Sequence, residues 1–213
     1  ARVAVAGLGA VLHQASGAEL GELMGLLDEV CAGAGAARAR VAVEAVSRGE
    51  VEQSGVSVHA WVRDHAPSLR QGGAGPVATM ASAVAGPGAM WRPGGTELDP
   101  GSPLGIVWAG VSEGSVSPGL ATAVLAEVRR LEPLLRPEAL PTVTGALLQL
   151  GVGWGPPLMR RLRPRLLAEH GRSGVLDDLQ ERLAGSARLS SPLVESGDLT
   201  EYQLLMTPEQ ATA

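Results

Sequence analysis

Phenylalanine, lysine and asparagine are missing from this 213-residue chain, and isoleucine, tyrosine and cysteine occur once each. With no Phe, one Tyr and four Trp, any core has to be assembled from Leu, Val, Ala and Met. The lack of Lys makes all 17 basic residues Arg. The codons of the missing and rare residues are AT-rich, which points to a very GC-rich genome and makes Arg simply the available cation. A single Cys31 excludes an internal disulfide and a multi-thiolate metal site. It falls on the apolar stripe of an expected helix and reads as a small buried hydrophobe. A net charge of −5 argues against a protein that coats nucleic acid globally, while leaving room for a local basic face. No apolar run approaches the roughly 18 residues that cross a bilayer, and the N-terminus lacks the basic residues and processing site of a signal peptide. No membrane partner is expected, and the cytoplasm is the default location.

What is present reads mostly as helix. Residues 1–16 are rich in Ala, Gly and Val without a clear period. Ser16 then precedes Leu20, Leu23, Met24, Leu27, Val30, Cys31 and Ala34, the three-and-four spacing of one helix face. Charged residues carry the pattern to Arg48, with Gly49 as the stop. Gly33 and Gly35 lie inside and cost roughly 1 kcal/mol each relative to Ala, so one long helix with a weak middle and two helices meeting there both fit. Short helices are expected over 58–66, closed by Pro67, and over 76–84. Between 85 and 103 the sequence turns to Gly-Pro-Gly, Pro-Gly-Gly and Asp-Pro-Gly, a loop that is the best candidate for a subdomain boundary, with Trp91 docked on a neighbouring helix.

The second half is a series of amphipathic segments. Residues 104–111 form an apolar helix or strand. Ser117-Pro118 supplies a cap and a proline for the first helical position, and Leu120, Val124, Leu125, Val128 and Leu131 form a stripe that leaves Glu127, Arg129 and Arg130 outside it. Pro137-Glu138 opens a helix through Leu150. Pro157 opens another through Leu158, Leu162, Leu166 and Leu167, which Pro164 should kink. A short helix over 176–183 and a β-hairpin over 189–205, turning at Ser196-Gly197-Asp198, complete the order. Thr207, Pro208 and Glu209 make a helix start, yet only five residues follow Pro208, whereas isolated helices below about 12 residues are marginal. A longer parent chain is expected.

Enzyme signatures appear only in part. Val3-Ala4-Val5-Ala6-Gly7-Leu8-Gly9 suggests a strand entering a dinucleotide-binding turn, but Leu12 occupies the position of the third glycine and no βαβ unit follows. Gly110-Val111-Ser112-Glu113-Gly114 matches a serine hydrolase elbow, yet a parallel sheet is absent and His170 is the only later histidine. His59 and His65 lie about 240° apart around a helix and cannot share a metal. No catalytic residue, no metal and no cofactor is therefore assigned. The pair of helices over 58–66 and 76–84 has the spacing of a helix-turn-helix, but its second member has no basic or amide side chain to read bases. One chemical signal remains: Arg160, Arg161, Arg163, Arg165 and Arg172 stand against the single acid Glu169. With Leu158, Leu162 and Leu166 holding one face down, Arg160, Arg161 and Arg163 point largely outward and could meet phosphates.

Several segments carry a resemblance. The helix at 20–49, His59-Ala60-Trp61-Val62, Trp108-Ala109-Gly110 through Glu113-Gly114-Ser115-Val116-Ser117-Pro118-Gly119, the Leu/Arg helix at 158–167 and the Pro-Glu element within 204–211 together resemble the N-terminal domain of a bacterial HNH endonuclease family, known as domain of unknown function 222. The similarity spans residues 17–209, and it departs from the family in the longer loop at 85–103 and in Pro164. The nuclease motif itself is not in this chain, so no catalytic residue carries over. The resemblance implies a module attached to a DNA-cleaving enzyme. The expected fold is mainly α: an N-terminal segment over 1–16, then a single helical accessory domain over 17–213, a multi-helix bundle with a small C-terminal β-hairpin, ending before an HNH domain. Its expected function is non-catalytic and DNA-associated, with the five arginines contacting DNA. The alternative is a protein-interaction or oligomerisation module whose partner is a nuclease domain or a second copy, or a degenerate inactive copy.

Overall fold

The computed structural model describes residues 9, 12–86 and 98–175, together with 178, 181, 188–189, 194–196, 199–201 and 204–206. Within them the chain is mainly helical. The helices are α1 (Gly17–Ser47), α2 (Glu50–Gln53), α3 (Val58–His65), α4 (Ala74–Ala85), α5 (Pro103–Glu113), α6 (Pro118–Leu131), α7 (Leu140–Trp154), α8 (Pro156–Arg161) and α9 (Arg163–His170).

Most helix starts follow directly from the sequence. At α1 the Ser16 side chain accepts from the Glu19 N–H while the Glu19 carboxylate accepts from the Ser16 N–H at 2.7 Å, so two otherwise unpaired backbone donors are satisfied reciprocally. Ser57, Ser102 and Ser117 cap α3, α5 and α6 by the first half of this arrangement alone, each hydroxyl accepting a backbone N–H, and in α5 and α6 a proline occupies the first turn, where no intrahelical N–H bond is lost. The stretch from Ser16 to Arg48 is one uninterrupted helix, with Gly33 and Gly35 inside it. Helix α4 begins earlier than its proline suggests, because Gly73 adopts a left-handed φ of 93° and places Pro76 in the first turn.

Helix α6 is the hub. It packs against α4, α5, α7 and α8, and α1 leans on α4 and α5. Val107, Val111, Val124, Val128, Leu131, Leu135, Val143 and Leu147 fill the centre, joined by Met80 and Val84 from before the Gly/Pro-rich loop. One core thus spans the loop. A smaller cluster of Ala42, Val62, Ala74, Val77, Ala78 and Ala81 sits between α1, α3 and α4. Alanines let these helices approach closely, which replaces the missing aromatic bulk. Thr144 is fully buried and satisfies its hydroxyl on the Leu140 carbonyl at 2.7 Å.

The far end is closed by a strap. The Arg136 N–H donates to the His170 carbonyl at 3.0 Å and the Arg172 N–H to the Leu134 carbonyl at 2.9 Å, pairing Leu135 with Gly171 antiparallel. The connection after α6 thereby holds the end of α9.

Two expectations need correction. Cys31 is exposed, not buried, because the buried residues of α1 run only from Ala36 to Ser47. The preceding half of α1 leaves its apolar face bare, with Met24 69% and Val30 66% exposed. Glu127, expected outside the α6 stripe, is 3% exposed. Helix α4, which has no side chain to read bases, is buried on several sides through Val77, Ala78, Met80, Ala81 and Val84. Trp91, the strand-like segment 3–8 and the helix start at 207–209 lie outside the described residues, as does most of the expected helix over 176–183. The turn of the hairpin expected over 189–205, residues 197 and 198, lies outside them too, and the extended fragments Val194–Ser196 and Leu199–Glu201 do not establish the hairpin.

Candidate nucleic-acid interface around a buried carboxylate

Pro164 shapes this region. Lacking an N–H and pressing its ring towards the carbonyl four residues earlier, it cannot sit inside a regular helix. The chain breaks at Leu162 (φ −88°, ψ −3°), dividing one expected helix into α8 and α9. The buried side chains of this pair are Met159, Leu166 and Leu167, while Leu158 and Leu162 are only half-buried. The break brings Arg163, the first residue of α9, over α6.

There the Arg163 guanidinium forks onto Glu127. Its Nε donates to Oε1, and its second terminal nitrogen donates to Oε2 at 2.6 Å. Bidentate pairing of this kind suits a planar guanidinium and fixes its direction. Arg163, expected to face outward, is 34% exposed and committed to a buried carboxylate; this corrects its assignment as a free phosphate ligand. The hydrogen bond from Arg163 holds the Glu127 carboxyl below the usual carboxylate range against the opposing effect of burial, and the same bond raises Arg163. Arg130, one turn along α6, lies 3.8 Å from the same carboxylate, and the charge of Arg160 also acts on it. Arg163 and Arg130 therefore both face one carboxylate, leaving the cluster net positive.

The other arginines divide in two. Arg160, Arg161 and Arg165 are exposed, and none of the ion pairs among the described residues includes them. Arg172, though exposed, has its Nε donating to the Leu135 carbonyl at 2.9 Å, so its guanidinium reinforces the strap. Arg130 and Glu127 were not singled out from sequence. The signal was present for Glu127: positions 124, 127 and 131 continue the three-and-four spacing, which puts residue 127 on the buried seam.

The enzyme-like motifs resolve into helix structure. The Ser112 hydroxyl donates to the Ala109 carbonyl at 2.9 Å inside α5, and Gly114 is its left-handed cap. A Cβ on Gly110 would come within 2.6 Å of Val116 Cγ2, so that glycine serves the α5–α6 turn rather than a nucleophile elbow. His65 stacks on Trp61 with ring centroids 4.3 Å apart and is hydrogen-bonded to the Trp61 carbonyl at 2.9 Å. Among the described residues no three His, Cys, Asp or Glu side chains gather as a metal site, and no helix is long and apolar enough to cross a membrane. No protein-family model, curated protein or solved structure matches the chain.

Proposed function

We propose that this chain is a non-catalytic accessory module of an HNH-endonuclease-type protein and that it contacts DNA phosphates through Arg160, Arg161 and Arg165, with Arg130 at the margin. One observation carries the reading: three exposed guanidinium groups that form no ion pair among the described residues, on two short helices held in place by the Glu127–Arg163 pair. A cation already neutralised contributes little to phosphate binding; these three are free to release counterions. The Arg163 pair sets the direction of α9 and hence the spacing between the Arg160–Arg161 edge and Arg165. The resemblance to the nuclease-associated family supplies the DNA partner. The hairpin over 189–205, a nuclease domain beyond it and a cytoplasmic location belong to the same proposal.

The test is fluorescence anisotropy on a labelled duplex across a salt series. Replacing Arg160, Arg161 and Arg165 together by Ser should leave helicity unchanged and weaken binding equally across DNA sequences. The slope of log affinity against log salt should flatten by about 0.9 for each phosphate that is no longer neutralised. Undetectable binding by the unaltered chain at low salt, or a triple variant with unchanged affinity, ends the DNA reading.

A further inference from the structure

Helix α1 has two apolar faces with different uses. Ala36, Ala39 and Ala42 are buried against the body. About 150° round the helix, at roughly 100° per residue, Leu20, Leu23, Leu27, Val30, Ala34 and Ala37 follow a strict three-and-four alternation. This is the heptad seam of a coiled coil. Leu20, Val30, Ala34 and Ala37 are exposed and Leu23 and Leu27 half-buried. Met24 and Leu26 flank the seam, exposed as well.

We propose that this seam binds the same seam of a second copy of the chain, antiparallel, across a two-fold axis near residues 28 and 29. Size gives the first argument. The seam runs from large side chains to small ones, so two parallel copies would set Ala against Ala at one end and leave voids. Reversed, Leu20 meets the partner's Ala37, Leu23 meets the partner's Ala34 and Leu27 meets the partner's Val30, so each layer combines a larger with a smaller residue.

Charge gives the second. Glu19, Glu22, Asp28 and Glu29 are the only charged residues from 17 to 37, and Arg38 and Arg40 follow without acidic partners among the described residues. A parallel pair would lay the acidic half of one helix along that of the other, whereas across the two-fold axis only Asp28 and Glu29 come near their copies, on the outer face about 130° from the seam. The antiparallel pair brings Glu19 beside the partner's Arg40, the flanking arrangement that selects orientation in coiled coils.

Groove shape gives the third. Where the seam reaches Ala37 and Val41, Val41 being 61% exposed, it opens into an apolar recess of 230 Å³ walled also by Trp61, His65 and Leu69. The reversed register delivers the partner's Leu20 to the mouth of this recess. Knob and hole lie on one chain, as a self-complementary two-fold contact requires.

The test uses the full chain. Analytical ultracentrifugation should give twice the 21.7 kDa chain mass at high concentration, reverting to a single chain when Leu23 and Leu27 are both replaced by Glu, with unchanged helicity. Orientation is read in a Cys31→Ser background from Leu26→Cys and Gly33→Cys proteins, each mixed with itself or with the other under mild oxidation. A Cβ at Gly33 meets nothing within 4 Å, so that substitution fits the free helix. The antiparallel register cross-links only the mixture, at least tenfold over either protein alone. A dimer that cross-links in none of the three overturns the proposal, because a parallel pair holds these same-flank positions on opposite sides, and so does cross-linking of each protein with itself. So does a monomer at all concentrations, a double Glu variant that stays dimeric, or a chain that dimerises only after removal of residues 1–11, which would make that segment the seam's own cover.

Discussion

Helices α1 and α6 carry apolar stripes of the same spacing and meet opposite fates. In α6, Val124, Val128 and Leu131 are almost wholly enclosed. In the first half of α1, Leu20, Met24 and Val30 face outward. Periodicity says on which side of a helix the apolar side chains lie. It does not say whether the same chain supplies the surface that covers them. For α6 the cover comes from four helices on either side in sequence; for α1 the body reaches only the alanine face of its second half. The contrast separates a stripe that stabilises the monomer from one available to a partner.

Single substitutions should widen or erase that contrast. Leu131→Ala opens a cavity at the hub and is expected to cost about 3 kcal/mol, whereas Met24→Ala should stay within about 0.5 kcal/mol at concentrations where the chain is single. Urea melts followed by circular dichroism measure both, and equal losses would mean that α1 is covered within the monomer. Arg163→Ala comes next: it leaves Glu127 buried with only the more distant Arg130, and about 3 kcal/mol or somewhat less should be lost, since Arg163 is itself partly solvated. Glu127→Gln keeps shape and should cost less than Arg163→Ala.

The same pair predicts an acid response. Glu127 has its carboxyl pKa lowered in the folded state, so its stabilisation is complete above the ordinary carboxylate pKa near 4.5 and fades as pH falls through the depressed folded value. Melts from pH 6 down to pH 2 should show less acid sensitivity in Glu127→Gln than in the unaltered chain. The smallest effect belongs to Ser16→Ala, which removes one half of the α1 capping box at a cost of about 1 kcal/mol. Because that end stands clear of the core, the change should accelerate amide exchange in the first turns of α1 and barely move the global melt.

Much of the helical order was readable from local chemistry: serine caps, prolines in first turns and glycine stops act on neighbouring residues and need no tertiary knowledge. The kink at Pro164 was legible for the same reason. What escaped depended on partners distant in sequence. The spacing of α6 places Glu127 on its buried seam, but the cation that makes a buried carboxylate tolerable, Arg163, lies 36 residues away, and only the break at Leu162 brings the two together. Cys31 looked buried because its stripe is apolar, although nothing local could reveal that α1 outruns the body. Of the arginine cluster, sequence supplied the residues but not their division into Arg160, Arg161 and Arg165, which stay free, Arg163, which is neutralised, and Arg172, which binds a carbonyl.

The strap joining residues 134–136 to 170–172 has a mechanical consequence. Two backbone bonds tie the end of α9 to the connection after α6, and Val175 beyond them still lies in the main core, so fraying of α9 from its C-terminal end has to break that tie first.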